Sequence, residues 1–137
     1  MTIKINLKKS FKDNAIGNYV LFANEEFKIN SLNKLQLARF SNQINKIISS
    51  DKSKKKDFLT FNLSPNLRVI VIKLKNTLSS VESEKKGAEF YNFIKSNQIF
   101  NTCFIEDNFK YLLSKNKYFM NEFLHGAQLK SYKFEKY

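Results

Sequence analysis

The chain has no tryptophan, one proline, one cysteine, one histidine and three glycines in 137 residues. Each scarcity excludes something. A single cysteine, Cys103, cannot close an internal disulfide, which fits a reducing cytoplasm. A lone His125 and a lone Cys103 are too few ligands for a nitrogen- and sulfur-bound metal centre. Gly17, Gly87 and Gly126 stand far apart, so there is no glycine-rich phosphate loop. No apolar run approaches the roughly 20 residues that a membrane-spanning helix needs. The opening MTIKINLKK alternates apolar and polar residues and lacks the continuous apolar stretch of a secretory signal.

Acid is scarce too. Twelve Asp and Glu face 24 Lys and Arg, for a net charge of +12. Arginine is nearly missing from that surplus: only Arg39 and Arg68 occur, and every other basic residue is lysine. Lys, Asn, Ile, Phe and Tyr are abundant, and AT-rich codons specify all five, so base composition alone is enough to raise the charge. A surface shaped for phosphate would use more arginine, whose planar fork matches that group.

What is present is enough to fold. Hydrophobic residues make up 42% of the chain and aromatics 15%, which excludes a disordered polymer. At this length we expect one domain, residues 1–137, burying about two-thirds of its unfolded surface.

Ile3, Ile5 and Leu7 alternate with polar residues, as in a strand with one buried face. Residues 12–18 carry Asp13, Asn14 and Gly17 and read as a turn, and Tyr19 to Ala23 as a short strand buried on both faces. Leu37, Phe40, Ile44, Ile47 and Ile48 mark a helical stripe from Ser31 to Ser50, with Gln36, Arg39, Gln43 and Lys46 opposite. A charged loop, Asp51 to Asp57, follows. Phe58 to Leu63 is a strand with Leu59, Phe61 and Leu63 on one side, and Ser64-Pro65-Asn66 is a turn. Leu67 to Leu74, LRVIVIKL, has the β-branched, apolar character of a central strand.

Ser79 and Glu82 have capping-box spacing and open a helix whose buried face holds Gly87, Ala88, Tyr91 and Ile94, ending near Ser96 and Asn97. Thr102 to Ile105 is a further strand. Phe109, Leu112 and Leu113 require cover, but residues 108–115 carry no decisive pattern. Phe119, Met120, Phe123, Leu124 and Ala127 then form the apolar face of a last helix. Gly126 lies inside that pattern and needs a packing reason, since a mid-helix glycine costs about 1 kcal/mol against alanine. Strands with helices interposed indicate a three-layer α/β/α sandwich with a mixed sheet.

Candidate chemistry is sparse. His125, beside Phe123 and Leu124, reads as a structural residue, and Glu122, three residues before it, as part of a solvated helix face. Cys103 lies in a strand and reads as core. Glu25-Glu26 and Glu106-Asp107 sit at strand ends without a nucleophilic or basic neighbour. The lysines of the charged loop, Lys52, Lys54, Lys55 and Lys56, are the candidate nucleic-acid contact, though no stacking aromatic is interleaved with them.

The chain closes on HGAQLKSYKFEKY, with Tyr132, Phe134 and Tyr137 separated by lysines, as an aromatic hook beyond the last helix. So much aromatic surface asks for a covering partner, and these three residues are the candidate docking contacts. The segment resembles the one that closes the N-terminal domain of leucyl aminopeptidases, the cytosol aminopeptidase family. The matching residues are Gly126, Ala127, Leu129, Tyr132, Phe134, Glu135 and Tyr137. Glu135 stands where the family more often has Asp, and Lys73-Leu74-Lys75-Asn76 replaces a Gly-Leu-Gly-like turn.

The resemblance implies a macro-domain-like fold and a non-catalytic N-terminal accessory domain that supports assembly and packs on a catalytic domain of the same polypeptide. The glycine-rich loops by which true macro domains bind ADP-ribose are missing here. The family's enzymes are metal-dependent hydrolases that remove N-terminal residues from peptides, using two divalent ions, Zn or Mn, and assembling as hexamers. Their metal ligands and catalytic residues lie beyond the segment that this chain matches, so no catalytic residue, metal ligand or cofactor is expected in it. The alternative reading is a free-standing basic nucleic-acid-binding module.

Overall fold

The computed structural model describes residues 4–8, 17–26, 28–29, 41–49, 56–75 and 79–136. The chain divides into two compact units: Met1–Asn76 with Asn101–Lys110, and Thr77–Phe100 with Tyr111–Tyr137.

The first unit is built on a five-stranded sheet of β1 (Lys4–Lys8), β2 (Gly17–Ala23), β3 (Phe58–Ser64), β4 (Leu67–Lys73) and β5 (Asn101–Ile105), with helix α1 (Ser41–Ile48). The strand order is β1-β5-β2-β4-β3. β3 and β4 form an antiparallel hairpin across Pro65 and Asn66, and the other pairings are parallel, so the sheet is mixed. β4 pairs with β2 from Gly17↔Leu67 to Ala23↔Lys73.

The pleat sends alternate side chains to opposite faces. One face carries Tyr19, Leu21, Ala23, Leu67, Val69 and Val71, joined by Ile44 and Ile48 of α1, with Leu59 and Phe61 packed against them. The other carries Val20, Phe22, Ile70, Ile72 and Phe104, all fully buried, and the rings of Phe22 and Phe104 stack at 5.7 Å. Central strands buried on both faces, in a mixed sheet with helices, make this an α/β fold of the three-layer sandwich class.

Three local expectations change. β1 does not have one buried face: Ile5 is half-buried and Leu7 is 57% exposed, because β1 is an edge strand with β5 as its sheet neighbour. β2 begins at Gly17 rather than Tyr19; Gly17 adopts φ +115° and its N–H donates to the Asn66 carbonyl at 2.8 Å. Residues 108–115 are helical, in α3 (Glu106–Lys115), which starts directly after β5 with Glu106 and Asp107 in its first turn, where the helix dipole favours acid. Of the expected stripe before α1, Leu37 and Phe40 lie outside the described residues.

In the second unit, α2 (Ser80–Ser96) and α4 (Phe119–Lys136) lie against each other. Ser79 caps α2: its Oγ accepts from the Glu82 N–H at 3.2 Å. The return half of the capping box is not made, and Glu82 Oε2 is buried without a hydrogen-bond partner among the described residues. α2 buries Ser83, Gly87, Phe90, Tyr91 and Ile94, while Ala88 is half-buried. It ends in a Schellman motif: Ile99 N–H donates to Ile94 C=O at 2.8 Å and Gln98 N–H to Lys95 C=O at 3.1 Å, with Gln98 in the left-handed region at φ +56°. α4 buries Phe119, Met120, Phe123, Gly126 and Ala127, and its Phe123 ring sits 5.4 Å from that of Phe90. The helix continues through Lys136, so the backbone of the expected hook is helical.

Candidate functional site

A row of polar side chains crosses the first unit's sheet at the amino ends of its parallel strands. Register places Asn18 of β2 beside Arg68 of β4, and Arg68 beside Asn62 of β3. All three project on the face opposite Tyr19, Leu63 and Val69. Arg68 Nε donates to Asn62 Oδ1 over 3.4 Å, and Asn18 Nδ2 donates to the Asn101 carbonyl at 2.9 Å. On the other face of the sheet, at its edge, Asn6 Nδ2 donates to Asn101 Oδ1 at 2.8 Å. Gly17, Asn18, Asn62, Pro65, Asn66, Leu67 and Arg68 line an open cleft of about 310 Å³.

At the opposite ends of the strands the chain is sealed. Asn108, fully buried in the first turn of α3, clamps the backbone of Phe22. Its Oδ1 accepts from the Phe22 N–H at 2.7 Å and its Nδ2 donates to the Phe22 carbonyl at 3.3 Å. β2 and β5 pair at Tyr19↔Cys103 and Val20↔Phe104, so a carboxamide takes over the role of a strand where that ladder stops. This is the carboxyl-end position where open α/β sheets commonly bind ligands, and here a side chain occupies it.

The second unit carries a polar cluster on α2 and α4. His125 Nδ1 lies 3.1 Å from Glu84 Oε1, and Glu122 accepts from Ser80 Oγ at 2.8 Å and from Asn116 Nδ2 at 3.0 Å. His125 is exposed, so it braces the surface of the helix pair. Among the described residues no three His, Cys, Asp or Glu side chains are placed to hold a metal ion. Cys103 is buried in β5, and burial raises its thiol pKa against a smaller lowering by Lys8.

The residues expected to act are only partly placed. Lys56 is exposed beside Asp57, whose carboxylate lies 3.7 Å from Lys73 Nζ; Lys52, Lys54 and Lys55 lie outside the described residues. Tyr132 and Phe134 fall on the helical backbone of α4, their side chains and Tyr137 lying outside the described set. Sequence reasoning missed Asn108 and the Asn18–Arg68–Asn62 row. A faint signal existed, a single arginine inside LRVIVIKL, but the alignment of β2 with β4 is not written locally.

No protein-family model matches this chain, and no curated protein matches it. Among solved structures, a mutant of tomato leucine aminopeptidase is similar, with a TM-score of 0.51 and 19% identity over 75% of this chain. The shared feature is the fold. The match spans 23% of the tomato chain, so this chain corresponds in fold to a minor part of that protein. No described helix is long and apolar enough to cross a membrane.

Proposed function

We propose that this chain is a non-catalytic accessory domain of the leucyl aminopeptidase type. Its role is to pack on a peptidase catalytic domain and support that enzyme's assembly. The observation that carries the reading is the fold match, which covers 75% of this chain against 23% of the tomato leucine aminopeptidase chain. The closing segment, with Gly126, Ala127 and Leu129 ahead of Tyr132, Phe134 and Tyr137, supports it independently through its family-like spelling. On this reading the hydrolytic chemistry, its two divalent metal ions and the hexameric contacts belong to the parent enzyme, and Tyr132, Phe134 and Tyr137 are the docking contacts.

The test uses the purified chain with leucine p-nitroanilide. Zn²⁺ or Mn²⁺ is expected to produce no hydrolysis, whereas metal-dependent release of leucine, abolished by chelator, would overturn the assignment. The reading further expects the gene to encode an aminopeptidase catalytic domain with this segment; a stop codon directly after Tyr137 would count against it.

A further inference from the structure

We propose that the cleft at the amino ends of β2 and β4 is a binding site for a small carboxylate, gripped by Arg68 and flanked by the carboxamides of Asn18, Asn62 and Asn66. The site is independent of the accessory-domain reading.

Arg68 is half-buried, and its charge is not neutralised by any carboxylate among the described residues. Among the described residues its one side-chain hydrogen bond, from Nε to Asn62 Oδ1, is long at 3.4 Å and spends neither terminal nitrogen. A guanidinium carries five donors in a rigid fork that matches a planar oxyanion in bidentate fashion. Among the described residues, the cleft lining contains no acidic side chain to compete for that fork.

The charge and donor count select among anions. Phosphate is commonly held by several cations or by a nest of free backbone N–H groups. The cleft's described lining has one cation, and the Gly17 N–H at its rim is already given to the Asn66 carbonyl. One positive charge suits a monoanion. The carboxamides add what a bare anion does not use. Asn62 keeps its Nδ2 donor, since its Oδ1 is taken by Arg68, and Asn18 keeps its Oδ1 acceptor, since its Nδ2 is taken by Asn101. A donor and an acceptor beside the fork fit a carboxylate with an adjacent amide, with exposed Pro65 as the apolar part of the lining. A volume of about 310 Å³ is at the small end of ligand sites, so the ligand is small.

The test is titration of the ¹⁵N-labelled chain with N-acetylglycine, its methyl ester and inorganic phosphate, read by ¹H–¹⁵N correlation spectra. N-acetylglycine is expected to shift the amides of Gly17, Asn18, Asn62 and Arg68 saturably, with Kd of about 1 mM. Arg68→Lys, which retains the charge but not the fork, should weaken Kd about tenfold, as expected for the loss of one bidentate contact. The ester should leave those amides unmoved. Equal shifts with the ester, shifts that never saturate, or unchanged affinity in Arg68→Lys would each overturn the proposal. Tighter binding of phosphate at the same amides would overturn the choice of carboxylate. The acid-against-ester comparison needs no variant, so it decides even if Arg68→Lys unfolds.

Discussion

Gly87 and Gly126 are reciprocal: each sits against the main chain of the other's helix. A Cβ added at Gly87 would collide with the Phe123 carbonyl, and one added at Gly126 with the Glu84 carbonyl. The two helices therefore approach backbone to backbone, and the packing reason required for Gly126 is this contact.

Alanine at either glycine is expected to destabilise the protein. The helix-propensity gain of about 1 kcal/mol is outweighed by forcing two backbones apart, an overpacking cost of about 3 kcal/mol. Urea denaturation should therefore show a net loss of about 2 kcal/mol for Gly87→Ala and for Gly126→Ala. A stability gain in either variant would mean that the helices can part without penalty.

Asn108 supplies both hydrogen bonds to Phe22 from a fully buried position. Asn108→Ala should cost about 2 kcal/mol or more by leaving the Phe22 N–H and C=O unsatisfied. Asn108→Asp retains the acceptor but loses the donor, and it places an ionisable carboxyl in a buried site. Its deficit should exceed that of Asn108→Ala at neutral pH and shrink on acidification, when the carboxyl regains a proton to donate. Comparing the two denaturation midpoints at neutral and mildly acidic pH checks the order.

The left-handed Gln98 offers a gain. Its Schellman geometry is the position where glycine is preferred, and a non-glycine residue there costs roughly 1 kcal/mol. Gln98→Gly is expected to raise thermal stability by about 0.5–1 kcal/mol, since Gln98 is exposed and its side chain makes no hydrogen bond among the described residues. An unchanged or lower melting temperature would contradict this.

Cys103 sets a pH dependence. Burial raises its pKa in the folded protein, so the folded state holds the thiol proton more tightly than the unfolded chain does. Its contribution to stability is therefore complete below the ordinary thiol value of 9.0 and is lost as pH rises through the folded value. Wild type should lose stability more steeply than Cys103→Ala above that value, and iodoacetamide should alkylate the native thiol far more slowly than the unfolded one. Parallel pH profiles for the two proteins would refute the assignment.

Much of the sheet was legible because its signals are local. LRVIVIKL is apolar on both faces and became the paired strand β4, and Pro65-Asn66 turned the hairpin as the local chemistry indicates. Ser79 capped α2 at the expected position. What was not legible depends on partners far away in the chain. Leu7 and Ile5 alternate like a half-buried strand, and only the pairing with β5 reveals an edge. Phe109 and Leu112 had no decisive periodicity because Asn108 and Phe109 serve burial and hydrogen bonding at once, in a helix that begins without a linker. The candidate cleft was hidden for the same reason: Asn18, Arg68 and Asn62 come together by register alone.

The pairings also set the order in which the chain can fold. Among the described strands only the β3–β4 hairpin closes between neighbours in sequence; β2 must wait for Leu67, and β1 for Asn101. On a ribosome, the amino-terminal strand emerges long before its mate exists, and the mate arrives only after α2 has been made. Such distant closures carry a high loop entropy before any contact rewards them, which makes refolding slower than in a helical bundle of this size. The hairpin is the natural seed, and β1, whose partner β5 lies farthest off in sequence among the described pairings, joins late.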